Sequence, residues 1–202
     1  MIEIELSSDQ LKGALYHANL NCGQGIGAMK SQIHDDQMRQ ERMRTDQAVG
    51  QVATCAVAKY LHGHTSTYFQ TRFYRNQHPN SSDNGYDLGC ANLDVKGGFM
   101  RYWTDPRKYG LLVRPYEVHE GWVYIHCLLQ HDSEDPDDWI DQHPTITLTG
   151  WATAEELPST PIAEGKLKGA LEIPVPDLHP LPPIHYNWFA NEWSRENSRA
   201  IR

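Results

Sequence analysis

A stripe of apolar residues sets the first limit on the fold. From about Asp36 to Leu61, Val49, Val52, Ala53, Ala56, Tyr60 and Leu61 recur at i, i+3, i+4 and i+7, which is the period of a helix that buries one face. A helix of this length needs a partner layer for that face. The sequence supplies one downstream, where the period changes to two. "STYFQTRFYR" from Ser66, "YGLLVRPYEV", "GWVYIHCLLQ" and "TITLTGWA" are rich in aromatic and β-branched residues and predict strands. Ahead of the long helix, "SSDQLKGALYHANL" opens with a Ser/Asp start signal and predicts another helix, followed by a glycine-rich connection, "NCGQGIGAMK". Gly63 in "LHGHT" is the expected C-cap. "TAEELP" predicts a short helical turn. The expected fold is α/β (α+β), with a mixed central sheet packed against the long helix. Residues 1–202 are expected to form a single domain. Within it, 1–35 is an N-terminal helical region, 36–157 the core, and 158–202 an irregular Pro-rich tail with an aromatic C-terminal segment.

Bulk properties remove several classes. Hydrophobic residues at 39% and charged residues at 22% are ordinary globular values, so global disorder is not expected. The N-terminal "MIEIELSSDQ" has none of the features of a signal peptide, and the longest apolar stretch, "WVYIHCLL", is far too short to span a bilayer. A soluble, cytoplasmic protein with no membrane partner is expected. Cys22, Cys55, Cys90 and Cys127 form no C-x-x-C pair, which fits reduced thiols. The net charge of −8 conceals a segregation: eight acidic residues and no Lys or Arg lie between Glu117 and Asp141, while Lys96 to Arg114 holds five basic residues against Asp105 alone. One surface can therefore be basic on an acidic protein, although a solvated mixture of charges would give the same counts.

The stretch with the most chemistry is "DNGYDLGCANLDVKGG", residues 83–98. If "YDL" and "NLDVK" pair as an antiparallel hairpin turning at Cys90 and Ala91, Asp87 stands opposite Asp94. Asp87, Asp94 and Lys96 then share one face, and Leu88, Leu93 and Val95 take the other. Like charges directly opposed are destabilising. A divalent cation relieves them, and Mg²⁺ takes oxygen ligands such as these. Lys96 beside it would orient or deprotonate a water, or offset charge in the transition state. Alternation of charged and apolar residues is also what any half-buried strand displays, with Asp94 and Lys96 as a weak surface ion pair.

"GYDLGCANLDVKG" resembles the active-site hairpin of the PD-(D/E)XK nuclease superfamily, with its restriction-endonuclease-like fold. The pattern is an Asp on one strand, a turn, then (Asp/Glu)-x-Lys on the next. Asp87 matches the first acid, Asp94 the second, Val95 the variable position and Lys96 the lysine. The resemblance implies that Asp87, Asp94 and the Val95 backbone carbonyl bind Mg²⁺, with Mn²⁺ as a substitute. The helix containing "GQVATCAVAKYLHG" is similar to the Gly-Glu-led helix of many members, and "LTGWATAEEL" resembles their late strand and turn, so the likeness runs from about residue 45 to 180. Where relatives carry a helical Glu after the Gly, this chain has Gln51, which keeps the shape and an acceptor oxygen without the charge. Asp46 is the other auxiliary candidate, since it falls beside the apolar stripe while Gln51 falls nearly opposite.

The function implied is Mg²⁺-dependent hydrolysis of DNA phosphodiester bonds, with Asp87, Asp94, Lys96 and Gln51 as the catalytic set. Arg72, Arg101, Arg107 and Lys108 flank the hairpin and are the expected phosphate contacts. RNA shares the chemistry as a substrate, and a homodimer would suit double-strand cutting. The competing class is a catalytically weak or silent module of the same fold that binds DNA or a protein, favoured by Gln51 and the net acidity. His62 and His64 at the helix end have weak zinc spacing and fit a capping role better.

Overall fold

The protein is described by a computed structural model that covers residues 1–23, 36–77, 88, 92–102, 104–164 and 168–181. Helix α1 spans Ser8–Gly23, and Ser7 caps it reciprocally with Gln10: the Gln10 N–H donates to Ser7 Oγ at 3.3 Å and the Ser7 N–H to Gln10 Oε1 at 3.0 Å. Helix α2 spans Asp36–His62 and ends as expected at Gly63, whose φ of 71° is open to glycine and whose N–H donates to the Lys59 carbonyl at 2.8 Å. No helix among the described residues is long and apolar enough to cross a membrane.

The next element corrects the sequence reading. "STYFQTRFYR" is not a strand; Ser66–Gln77 is helix α3. Thr65, Tyr68 and Arg72 are buried and Phe73 is exposed, so the burial follows steps of three and four. The aromatic content that suggests a strand is used instead in helix packing. Phe69 lies where a side chain on Gly13 of α1 would be, 2.6 Å from an ideal Cβ there, and Tyr68 is completely buried. Tertiary packing overrides β propensity here.

The sheet is mixed, as expected, and has four strands in the order β1-β5-β4-β2: β1 (Ile2–Glu3), β2 (Leu93–Met100), β4 (Val123–Gln130) and β5 (Thr145–Thr153). β4 runs parallel to β2 and antiparallel to β5, and β5 is antiparallel to β1. The short β1 falls in the region expected to be helical. β3 (Gly110–Val113) pairs antiparallel with β6 (Leu171–Pro174) in a separate two-stranded sheet. Part of the expected irregular tail is thus a strand, and Ile173, Val175 and Leu178 enter a core with Leu111, Val113, Trp122 and Tyr124.

Two cores flank the sheet. Leu93 and Val95 of β2, and Val123, Ile125, Cys127 and Leu129 of β4, pack with the α2 stripe in the larger one, and Leu88 joins them. Tyr124 points the other way, into the smaller core beneath β3 and β6. Helix α2 sits close on β2 because Gly97 has no side chain. An ideal Cβ there would lie 2.9 Å from Val49 Cγ1, 3.1 Å from the Val49 carbonyl and 3.2 Å from Ala53 Cβ. Gly97→Ala should therefore push helix and strand apart and cost about 1–3 kcal/mol. Urea unfolding measures this, and an unchanged midpoint would contradict the close packing.

Candidate active site

The alternation of β2 sorts its residues between the two cores. Leu93 and Val95 face α2, so Asp94 and Lys96 project to the opposite side, as the sequence predicts. Lys96 Nζ lies 2.8 Å from Asp94 Oδ2 and 2.9 Å from Glu117 Oε2. The side chains are only 19%, 13% and 32% exposed in that order, so this ammonium is held between two carboxylates in a half-buried setting. Burial alone would pull the Lys96 pKa down. The charges and hydrogen bonds of Asp94 and Glu117 outweigh it and hold the pKa above the usual lysine range. Lys96 is therefore a fixed cation, suited to stabilising negative charge rather than to removing a proton.

Sequence reasoning misses Glu117 as a neighbour of Lys96 and places it only in the acidic segment. It ends the short helical turn Pro115–Glu117, just ahead of β4. The parallel pairing of β2 with β4 sets Asp94 beside Tyr124 and Lys96 beside His126. It thereby brings the approach to β4 alongside the first half of β2. The Tyr124 hydroxyl donates to the Glu117 carbonyl at 2.8 Å, which folds the turn back over the strand.

The remaining predicted residues are dispersed. Asp87 lies outside the described residues, together with the hairpin turn at Cys90 and Ala91. The Val95 side chain is buried toward α2. Gln51 is 6% exposed on α2, and its Oε1 accepts a 2.9 Å hydrogen bond from the Tyr68 hydroxyl of α3. It lies on the helical side of the sheet, while Asp94 and Lys96 face away from it. Asp46 is at the surface in an i,i+4 ion pair with Arg42 at 3.1 Å. The wheel position of Gln51 misleads because α2 is covered on two sides, by the sheet and by α1 and α3, so the face opposite the stripe is buried too.

Among the expected phosphate contacts, Arg72 is buried with its guanidinium 5.5 Å from the Tyr68 ring centroid. Arg101 binds the Asp132 carbonyl and the Glu134 carboxylate, the latter at 3.1 Å. Arg107 and Lys108 are exposed on the turn Pro106–Lys108, where Arg107 pairs locally with Asp105 at 3.1 Å. Among the described residues, no group of three or more His, Cys, Asp or Glu side chains could hold a metal ion. The described oxygen donors of the expected set are the Asp94 carboxylate and the Val95 carbonyl, hard ligands of the kind Mg²⁺ takes.

Comparison of the chain with protein-family models, with curated proteins and with solved structures finds no match.

His126 lies on the Lys96 side of β4. It is 3% exposed, and its Nδ1 lies 2.7 Å from Thr149 Oγ1. Thr149 is the extra residue of a β-bulge, since His126 pairs with Gly150 and Cys127 with Leu148. Burial lowers the His126 pKa from 6.5 to about 4. The unfolded chain takes up this proton near pH 6.5 and the folded chain does not until about pH 4. The associated stability is complete above pH 6.5 and is lost as pH falls toward 4, at up to about 1.4 kcal/mol per pH unit. Urea unfolding between about pH 7 and about pH 4.5 should show a shallower loss for His126→Gln than for the wild type. Parallel pH dependences would contradict this.

Proposed function

We propose that the protein is a Mg²⁺-dependent nuclease of the restriction-endonuclease-like class, hydrolysing DNA phosphodiester bonds. One observation carries this reading: Asp94 and Lys96 share one face of β2 in direct contact, 2.8 Å apart, held in a half-buried setting. Two features of the chain add to it. The motif upstream supplies Asp87, and the architecture is a mixed sheet with a long helix on one face. Asp87, Asp94 and the Val95 carbonyl would hold Mg²⁺. The ion would supply Lewis-acid polarisation of the phosphate and a more acidic bound water.

The chain's own part is charge placement. Hydrolysis forms one P–O bond to water and breaks the P–O bond to the leaving sugar oxygen, and negative charge builds on the phosphoryl oxygens between these events. Lys96, kept protonated by its two carboxylates, would offset that charge. Arg107 and Lys108 would add phosphate contacts from their exposed turn.

Cleavage of supercoiled and linear DNA in Mg²⁺, Mn²⁺ or EDTA tests the reading. Wild type should cut only with metal, and Asp94→Ala and Lys96→Ala should each lose about 10²–10³-fold, with folding checked by circular dichroism. A second reading, a silent module of the same fold that binds DNA or a protein, draws on Gln51 being engaged by Tyr68 and Arg101 by Glu134. Metal-independent DNA binding without cutting would favour it over the nuclease, and cleavage unaffected by either variant would move the site elsewhere.

A further inference from the structure

We propose that Glu117 is a positioning residue for Lys96, fixing its ammonium against Asp94 from an element other than the strand that carries both. The functional consequence rests on the nuclease reading above, whereas the restraint on Lys96 rests on geometry alone.

A lysine side chain loses rotamer freedom when it is ordered, more than most residues do. Withdrawing the ammonium from water beside Asp94 carries a desolvation cost, which a single carboxylate offsets less well than two. Asp94 is also the residue assigned to the metal, so the ammonium needs a second anchor outside the metal set. Glu117 meets this requirement. Its Oε2 is 2.9 Å from Lys96 Nζ, and the same oxygen accepts the Arg114 N–H at 3.1 Å, so the carboxylate is itself fixed.

The turn behind it is restrained at further points. Pro115 presets the backbone at its start. The Glu117 carbonyl accepts the Tyr124 hydroxyl at 2.8 Å, and the His119 N–H donates to that hydroxyl at 3.1 Å. Tyr124 is completely buried and stands directly beside Asp94 in the parallel register. A continuous set of contacts thus runs from the central strand through Tyr124 and Glu117 to Lys96. Catalytic groups must sit within a fraction of an ångström of their working position, and groups bonded to them from a rigid element provide that.

A double-mutant cycle in single-turnover DNA cleavage tests this. Glu117→Ala should lower the rate about 10–100-fold with KM for DNA unchanged. Glu117→Gln, which keeps an acceptor oxygen, should recover part of the loss, and Tyr124→Phe should act in the same direction more weakly. In a Lys96→Ala background, Glu117→Ala should have no further effect. An equal loss in both backgrounds, a change in KM alone, or no loss would overturn the proposal. Wild-type protein inert with both metals would remove the nuclease reading instead. The restraint is then decided by ¹⁵N NMR of the Lys96 ammonium. A sharp, slowly exchanging signal in the wild type that broadens in Glu117→Ala supports it, and identical signals in the two proteins overturn it.

Discussion

Strand β4 is buried on both faces, and the rest of the molecule is arranged to cover it. Every residue from Val123 to Leu129 is buried. Val123, Ile125, Cys127 and Leu129 require the helical layer on one side, and Tyr124 requires the small β3–β6 sheet on the other. A near-continuous apolar run of this kind is typical of a strand sandwiched between layers. Its edges then need partners, and β2 fills one in parallel while β5 fills the other antiparallel. The buried polar side chains His126 and Tyr124 are tolerated because each has a partner: His126 in Thr149 of the bulge, Tyr124 in Glu117 and His119. The candidate site follows from this packing. Asp94 and Lys96 lie on the face of β2 that the helix does not cover, beside the Tyr124 hydroxyl that draws Glu117 over them.

The charge distribution bears on what that face can recognise. The acidic segment is not a loose tail of charge. Trp139 is completely buried and stacks with Phe99 at 5.8 Å, and its indole N–H donates to the Ser133 carbonyl at 3.0 Å. Around this anchor, Arg44 pairs with Asp135 and Asp137, and Arg101 with Glu134. Several basic residues that a count would assign to a phosphate-binding surface therefore serve the fold. Affinity for nucleic acid built on the remaining exposed cations would be modest and strongly dependent on salt.

How much of this can be read from the sequence varies with the physical origin of each feature. Helices α1 and α2 are legible because the Ser7–Gln10 cap, Gly63 and the apolar stripe are local signals, and β4 and β5 because their apolar content is dense. The common face of Asp94 and Lys96 follows from strand alternation alone. Helix α3 is not legible by propensity, since Tyr68 and Phe69 suit a strand until α1 and α2 are present to receive them. Gln51 and Asp46 exchange their expected exposures because one helical wheel cannot know that α2 has neighbours on two sides. Glu117 is hidden for a topological reason: it is 21 residues from Lys96 in the chain. Only the parallel register of β2 with β4 brings it near. A hairpin reading centred on the motif contains no such neighbour.

We propose the Asp94–Lys96 face of β2 as a metal-dependent catalytic centre. Mn²⁺ titration followed by paramagnetic broadening of backbone amide signals tests it most directly, because it locates the ion without requiring activity. Broadening should begin at the amides around Asp94 and Lys96 and be abolished by Asp94→Ala. Broadening centred on the acidic segment between Asp132 and Asp141, and unchanged by that substitution, would contradict it.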